Sequence, residues 1–315
     1  MVEKTDFPWG HSKRYNDFSS HFKRLFKERV QKISINAGFT CPNRDGSISK
    51  GGCIYCDNQF KPAYCEPEKT VSQQIEQGIA FFAPKYKTQQ YLAYFQAYTN
   101  TYADLSVLKK LYEEALQNPK IIGLVIATRP DCINEDVLAY LHDLAKSKYV
   151  VVEYGVESTC DETLELINRG HKYEEVEKAF KLTAKYGLHT GLHLILGLPG
   201  EDHKMMMQHA KLISQLPFET LKLHQLQIIK NTQMASLYEN SPDLFQNYTA
   251  HEYIDLVIDF LEQLNPKIIV ERFISESPRD VLISPRWGLK NFEFVNLLIK
   301  RIKERDTWQG KLFGQ

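Results

Sequence analysis

The chain has 315 residues, of which 43% are hydrophobic and 25% are charged, and its 39 basic side chains balance 39 acidic ones. This composition is ordinary for a globular protein with a sizeable core, and the length allows two small domains or one large α/β barrel. A net charge of zero points to no partner by itself. No apolar run approaches the ~20 residues of a membrane span and no signal peptide opens the chain, so we expect a cytoplasmic protein without membrane contact.

Short β-branched or aromatic runs alternate with longer amphipathic segments. The predicted strands are Lys32–Asn36, Gln90–Tyr98, Ile121–Thr128, Tyr149–Val156, Leu188–Leu196 and Leu221–Ile229. Runs such as "IIGLVIA" and "YVVVEYGV" are apolar almost throughout, which is typical of strands buried on both faces. About six strand–helix repeats predict parallel βαβ units, closed or partly closed into a barrel.

The remainder of the chain predicts three parts. Residues 1–30 form a basic N-terminal extension, residues 31–240 form the core barrel, and residues 241–315 form a C-terminal extension packed on the barrel. That extension contains one strong helix ("HEYIDLVIDFLEQL"), a strand-like "KIIVERFI" and a basic helical tail.

Three of the six cysteines, Cys41, Cys53 and Cys56, lie within sixteen residues directly after the first predicted strand. Loops that follow strands build the active face of an α/β barrel. In a reducing compartment such a cluster indicates metal ligands or catalytic thiols, not disulfides.

Three thiolates leave a metal site one ligand short, which leaves two alternatives. A structural zinc ion would recruit a fourth ligand, for which Cys65 is a candidate. An iron–sulfur cluster would instead keep three cysteine-bound irons and one open iron, which could bind a small molecule.

The C-x11-C-x2-C spacing, with Tyr55 before the last cysteine, resembles the radical S-adenosylmethionine (SAM) enzymes, whose usual signature is C-x3-C-x2-C. The long first gap is similar to a subgroup that contains Elongator's catalytic subunit and small bacterial proteins of the YtqA/YhcC type. The resemblance covers about residues 30–230. It implies a partial (βα)6 TIM-type barrel with a C-terminal α/β extension. It also implies one [4Fe–4S] cluster on Cys41, Cys53 and Cys56, with SAM on the open iron.

Further segments resemble the same subgroup, four of them at strand ends and one, "INRGH", after a helix. They are "FQAYTNTY" (95–102), "ATRPD" (127–131), "EYGVES" (153–158), "INRGH" (167–171) and "LILGLPGE" (194–201). In the first of them Thr99, Asn100 and Thr101 replace the more usual Gly-Gly-Glu. The resemblance places these three residues where the family binds the methionyl amino group of SAM.

Four more residues are candidates for contacts with SAM. Arg129 and Arg169 could each pair with the SAM carboxylate through a planar fork. Glu157 could accept hydrogen bonds from ribose hydroxyls, and Gly197 offers bare backbone to the adenine. Structural alternatives exist, since Arg169 could cap a helix C-terminus, Glu157 could lie at a helix N-terminus, and the glycine could simply form a turn.

The resemblance also implies a reaction and a substrate. SAM would be cleaved reductively to methionine and a 5′-deoxyadenosyl radical, with electrons from a low-potential donor such as flavodoxin or ferredoxin. The radical would abstract hydrogen from a wobble uridine in the anticodon stem-loop of tRNA. The implied conversion is of 5-carboxymethylaminomethyl-(2-thio)uridine to 5-aminomethyl-(2-thio)uridine.

Both ends of the chain are basic, and the N-terminal stretch from residue 11 to residue 32 interleaves aromatics. These ends could contact RNA phosphates and stack on bases. Alternatively, Phe22, Leu25, Phe26 and Val30 form one face of a helix that packs on the barrel. Two other functions remain open: a radical SAM enzyme with a small-molecule or protein substrate, and a non-catalytic zinc or iron–sulfur protein that binds nucleic acid.

Overall fold

The computed structural model describes residues 7–57, 64–85 and 89–314. Seven parallel strands form one sheet in the order β1-β2-β3-β4-β5-β6-β8, curved into a partial barrel. The strands of the chain are β1 Val30–Ile35, β2 Gln90–Phe95, β3 Ile121–Thr128, β4 Tyr149–Glu157, β5 His189–Leu196, β6 Thr220–Gln225, β7 Ile228–Ile229, β8 Ile269–Arg272 and β9 Leu282–Ser284. Strands β7 and β9 form a separate antiparallel pair. The predicted α/β barrel of radical SAM type is confirmed.

Helices pack on the outer face of the sheet and bury the main hydrophobic core against it. The α-helices of the described chain, including α1 and α2, which lie elsewhere, are α1 Phe18–Phe26, α2 Pro42–Asp45, α3 Val71–Phe82, α4 Leu105–Leu116, α5 Glu135–Ala145, α6 Asp161–Leu166, α7 Tyr173–Lys185, α8 His203–Ile213, α9 Gln233–Asn240, α10 Ala250–Gln263 and α11 Asn291–Glu304. The apolar side of α4, for example, buries Leu108 and Tyr112, and Tyr112 meets Phe95 of β2 edge to face. Across the described residues, no helix is long and apolar enough to cross a bilayer.

The barrel gains a seventh strand from the strand-like segment "KIIVERFI", where the prediction counted six. Strand β8 pairs with β6, with Thr220 opposite Ile269, and it buries Ile269 and Val270. The C-terminal extension therefore covers the edge of β6 that would otherwise be left unpaired.

Two predicted strands are shorter than expected. Strand β2 ends at Phe95 because the loop after it turns through Tyr98, whose φ of 63° is incompatible with an extended strand. Strand β6 ends at Gln225, and the apolar residues Ile228 and Ile229 pair with β9 instead of extending the barrel.

Helix α1 closes the N-terminal end of the barrel from inside. Phe22 is buried against Leu92, Val125 and Val151, which project from the inner face of the sheet. It also meets Tyr149, the first residue of β4, edge to face. The basic N-terminal stretch thus packs on the barrel through Phe22 and Phe26, as the helical alternative expected, and lies at the end opposite the cysteine loop. That alternative is wrong for Leu25, which is 49% exposed, and Val30 belongs to β1 and not to the helix. Residues 1–6 of the predicted extension lie outside the described residues.

A layer of buried charges separates this apolar plug from the open end of the barrel. Glu153 of β4 is 2% exposed and accepts hydrogen bonds from Lys222 at 2.7 Å, from Tyr94 at 2.5 Å and from His193 at 2.8 Å. Burial alone would raise the pKa of Glu153, but the charge of Lys222 and the contacts with His193 and Lys32 outweigh burial and lower the pKa. The carboxylate is therefore ionised and bridges β2, β4, β5 and β6.

Asp17 is the residue that anchors α1. Its side chain accepts from the backbone of Ser19 at 3.1 Å and Ser20 at 3.3 Å, and it lies 2.9 Å from Lys13. We expect Asp17→Ala to lower the free energy of unfolding by about 1–2 kcal/mol, since an N-cap is lost. Asp17→Asn retains a capping oxygen and should lose less than half of that. Urea unfolding followed by circular dichroism measures both, and equal losses would contradict the capping role.

Candidate functional site

The cysteine loop follows β1 and folds back over the C-terminal ends of the strands. Cys41 starts α2, and Gly51 and Gly52 then reverse the chain with φ values of 89° and 85°, which favour glycine. Cys53 and Cys56 are joined by a tight turn in which the Cys56 amide donates to the Cys53 carbonyl at 2.9 Å. All three cysteines line one cavity of about 670 Å³ at the mouth of the barrel.

Two asparagines that the sequence reasoning missed hold this loop in place. Asn43 donates through Nδ2 to the carbonyl of Asn168 and to Sγ of Cys53, the latter at 3.5 Å. Asn168 donates back to the carbonyl of Gly52 at 2.8 Å. The segment "INRGH" therefore fixes the cysteine loop by hydrogen bonds and also supplies Arg169. Asn168 has a φ of 54°, a backbone conformation that the sequence pattern does not reveal.

Cys65 lies apart from this cavity. It is 1% exposed and packs in the main hydrophobic core, and it is not among the described residues that line the cavity. Sulfur ligands of one zinc ion stand about 4 Å from each other, because each lies ~2.3 Å from the metal. Within the described part of the chain, no three His, Cys, Asp or Glu side chains surround a position for a single metal ion, and this includes Cys41, Cys53 and Cys56. Because Cys65 packs in the core, the structure does not bring it to these three cysteines as a fourth ligand.

Two buried arginines face the cysteines across the cavity. Asp131, which the sequence reasoning missed, binds Nε and Nη2 of Arg129 at 2.9 and 2.7 Å and so occupies the fork that was expected to bind a carboxylate. The remaining Nη1 of Arg129 is buried without a partner in the described structure. Arg169 donates from Nη1 to Sγ of Cys53 at 3.6 Å and from Nη2 to the carbonyl of Gly155, and its Nε is also left without a described partner.

Each arginine has a carboxylate beside it, Asp131 for Arg129 and Glu157 for Arg169. His171, behind them, adds no charge, because burial and the neighbouring Arg169 lower its pKa to about 3. Glu157 lines the cavity at the end of β4, with Oε1 4.0 Å from Nη2 of Arg169, and Tyr55 lines it beside the cysteines. Buried donors without partners, one carboxylate and three thiols together suit a ligand that carries both a negative group and hydroxyl groups.

The three residues after β2 divide between the cavity and the scaffold. Thr99 lines the cavity. Asn100 instead donates from Nδ2 to the carbonyl of Ala127 at 2.8 Å, and the hydroxyl of Thr101 lies 2.6 Å from that of Thr128. These two side chains tie the loop after β2 to the end of β3.

Gly197 does not line the cysteine cavity in the described structure. With a φ of 85° it forms the turn after β5 and borders a separate small cavity of about 30 Å³. Four residues on, Glu201 is buried and accepts from the hydroxyl of Ser158 at 2.5 Å, which joins the loops after β5 and β4.

Comparison with known proteins identifies the family. The profile described as Radical SAM superfamily matches residues 38–213, and that of the Radical_SAM C-terminal domain matches residues 218–304. The chain belongs to the Radical SAM superfamily. This radical SAM enzyme is 34% identical to YtqA of Bacillus subtilis over 99% of its own length and 97% of the relative's.

Two further similarities are more distant. The chain is 27% identical to the tRNA uridine(34) acetyltransferase of Methanocaldococcus infernus, over 59% of this chain and 34% of that protein. The solved structure of the archaeal Methanocaldococcus infernus Elp3 with its N-terminus deleted (1–46) has a TM-score of 0.66 at 18% identity, covering 90% of this chain and 64% of that one. At that identity the likeness concerns the fold alone.

The cofactors that the superfamily implies, SAM and a [4Fe–4S] cluster, fit the residues present. Three thiols open into one cavity large enough for both groups, and none of them is engaged in a disulfide. Arg129 and Arg169 line the same cavity, and their guanidinium groups are of the type that binds a carboxylate such as that of SAM.

Proposed function

We propose that this radical SAM enzyme holds a [4Fe–4S] cluster on Cys41, Cys53 and Cys56 and modifies wobble uridine in tRNA. The observation that carries the proposal is the convergence of three thiols and two arginine side chains on one cavity at the mouth of the barrel. When bound, the cluster and SAM supply a 5′-deoxyadenosyl radical there.

The residues of the cavity bind and orient SAM in this proposal. Nη1 of Arg129 and Nε of Arg169 donate to its carboxylate, while the hydroxyl of Thr99 lies on the side of the amino group. Glu157 accepts from the ribose hydroxyls, and Tyr55 covers the cysteine turn. Thr99 is positioned indirectly by Asn100 and Thr101, which anchor its loop to β3. Gly197 shapes the loop after β5 that borders the adenine end.

The tRNA substrate is supported by the relative that carries the name tRNA uridine(34) acetyltransferase, which is similar over 59% of this chain. YtqA, which matches along nearly the whole chain, has no substrate in its name. The proposed reaction converts 5-carboxymethylaminomethyl-(2-thio)uridine to 5-aminomethyl-(2-thio)uridine.

The reaction balances as an oxidative loss of the carboxymethyl group. The methylene between the amine nitrogen and the carboxylate gives up one hydrogen atom to the radical, and its own radical is stabilised by both neighbours. Loss of one electron to a one-electron carrier protein and of one proton to solvent gives an imine. Water then adds to the imine, and glyoxylate leaves with the amine remaining on the uridine.

Two conditions follow from this chemistry. A low-potential donor such as flavodoxin or ferredoxin must supply the electron that starts each turnover. Exposed thiols and a tRNA substrate also call for a reducing compartment, so we place the enzyme in the cytoplasm.

The proposal is tested in two stages. Protein reconstituted without oxygen should bind about four irons and release 5′-deoxyadenosine from SAM when reduced. Mass spectrometry of wobble nucleosides should then show 5-carboxymethylaminomethyl-(2-thio)uridine accumulating in a strain that lacks the gene. Bound zinc without SAM cleavage would refute the first stage, and unchanged wobble nucleosides would point to a different substrate.

A further inference from the structure

A second cavity opens beside the cysteine cavity, on the side formed by the C-terminal extension. Its volume is about 490 Å³, and it shares with the first cavity a wall made of Gln225, Gln227, Ser275, Glu276 and Ser277. We call it the C-terminal groove. Beyond the shared wall it is lined by residues that include Arg279, Pro285, Arg286, Trp287, Leu289 and Lys290. A flexible ligand can therefore extend from one cavity into the other.

The shared wall is held rigidly by side-chain amides. Gln225 donates to the carbonyl of Ser275 at 2.9 Å and accepts from its amide at 2.8 Å, which locks the loop after β8 to the end of β6. Gln227 accepts from the hydroxyl of Ser277 at 2.8 Å. The β7–β9 pair holds the far side of the same loop. The groove is therefore preformed and costs little conformational entropy to occupy.

The basic side chains of the C-terminal extension fall into two groups. Arg301 and Arg305 of α11 are neutralised by Asp255 and Asp259 of α10, at 2.8 and 2.6 Å. The groove, however, is lined by three exposed cationic side chains, Arg279, Arg286 and Lys290. None of the three forms an ion pair with a carboxylate among the described residues. They present unneutralised positive charge to whatever enters.

The one carboxylate in the shared wall is compensated. Oε1 of Glu276 accepts from the backbone amide of Asn291 at 2.7 Å, at the N-terminus of α11, where a negative charge is stabilised. One residue further, Phe292 is 60% exposed, the highest value among the exposed large hydrophobic side chains of the described chain. Phe292 is not among the residues that line the groove, but it follows Lys290 by two positions, and an exposed aromatic ring there can stack on a base outside the groove.

We propose that the C-terminal groove binds the single-stranded RNA that flanks the target nucleotide. This inference rests on the proposed tRNA substrate. A base that reacts inside the barrel must leave its stack, so its neighbours have to pass over the rim of the cavity. The rim offers unpaired cations on the groove side, whereas the basic N-terminal helix α1 lies at the opposite end of the barrel.

The test compares two triple variants that remove equal charge. The groove variant is Arg279→Gln, Arg286→Gln and Lys290→Gln. The control removes three exposed lysines of α7, by Lys178→Gln, Lys181→Gln and Lys185→Gln. Binding of a labelled anticodon stem-loop to the reconstituted enzyme is measured by fluorescence anisotropy between 50 and 200 mM salt, together with 5′-deoxyadenosine released without RNA.

We expect the groove variant to bind the stem-loop at least about tenfold more weakly at low salt, with the slope of log K against log salt reduced by about 2–3. The α7 variant should bind as the parent does, and both should cleave SAM at the parental rate. Phe292→Leu, which keeps an apolar side chain but removes the ring, should weaken binding while leaving the salt slope unchanged.

The possible failures are distinguishable. If the parent enzyme modifies the stem-loop but the groove variant binds it equally tightly, the groove assignment is wrong and the tRNA function stands. If the parent neither binds nor modifies RNA, the substrate proposal fails and the groove assignment falls with it. Polyglutamate can be added as a competitor at the same concentration of negative charge. If it displaces the stem-loop, the groove binds any polyanion and the assignment to RNA is wrong.

Discussion

Replacing Cys53 with serine is expected to abolish the cluster and with it the release of 5′-deoxyadenosine from SAM. Cys53 is the most buried of the three loop cysteines, and its sulfur accepts from Asn43 at 3.5 Å and from Arg169 at 3.6 Å. These two contacts fix the position of the sulfur in the cavity wall. A serine hydroxyl neither ionises readily nor matches the softness of the iron site.

The expected magnitude is large. Anaerobically reconstituted Cys53→Ser should show 5′-deoxyadenosine release below about 1% of the parent and lose most of its iron, because no described residue can replace the missing ligand in a three-cysteine site. Iron content, the absorbance of the cluster and product release measure the effect.

Cys160→Ser is the matched control for this experiment. Cys160 precedes α6, donates to Glu162 at 3.0 Å and does not line the cavity in the described structure. The Cys160→Ser variant should keep the iron content and the activity of the parent. A Cys53→Ser enzyme with four irons and normal turnover would refute the assignment of the three ligands.

Replacing Glu153 with glutamine is expected to destabilise the barrel by about 3–5 kcal/mol, the range for breaking a buried ion pair from one side. The substitution removes the nearer of the two carboxylates beside the ammonium of Lys222, which is 3% exposed; Glu153 lies 2.6 Å away and Glu271 remains at 3.5 Å. The glutamine keeps one oxygen that can accept from Tyr94 and His193, but its NH₂ group replaces the oxygen that faces Lys222. Urea unfolding at neutral pH should therefore show a marked fall in the midpoint.

The same variant has a defined pH dependence. The pKa of Glu153 in the folded protein lies below its value of about 4.3 in an unfolded chain, so the carboxylate contributes its full stability above that pH. The contribution is lost as the pH falls toward the folded pKa. The difference between parent and Glu153→Gln should thus be greatest near neutral pH and shrink below about pH 4.

Glu177→Gln on α7 provides the comparison. Glu177 lies at the surface, 3.5 Å from Lys181, and its replacement should change the free energy of unfolding by less than about 0.5 kcal/mol. If Glu153→Gln lowered the free energy of unfolding by as little as this, or by an amount that does not vary with pH, the buried charged layer would not be what stabilises the barrel.

The strands of the barrel and the position of its site could be read from the sequence because both depend on order along the chain. Apolar runs such as Ile121–Thr128 specify buried strands wherever they pair, and the loop with Cys41, Cys53 and Cys56 must follow β1. Likewise "ATRPD" brings Arg129 to the same mouth because it follows β3, and parallel strands place their C-terminal ends together. Arg169 reaches that mouth from the loop between α6 and α7.

Partnerships between residues far apart in the chain could not be read in this way. Asn43 meets Asn168 across 125 positions, and Lys222 meets Glu153 across 69, so no local pattern reports them. Asp131 is near Arg129 in sequence, yet only the folded loop shows that it occupies the guanidinium fork. Which N–H groups of each arginine are already hydrogen-bonded is therefore decided only in the assembled site.

Sequence by itself determined the superfamily signature, the alternation of strands and helices, and the end of the barrel where the thiols lie, since spacing and hydrophobic periodicity are carried by neighbouring residues. Only the tertiary structure decided which basic segment faces that end. Charge and periodicity were alike at the two termini, but the aromatic face of α1 is buried inside the bottom of the barrel, whereas the loop before α11 is pinned beside its mouth. Which surface remains available to a ligand depends on what packing has already covered.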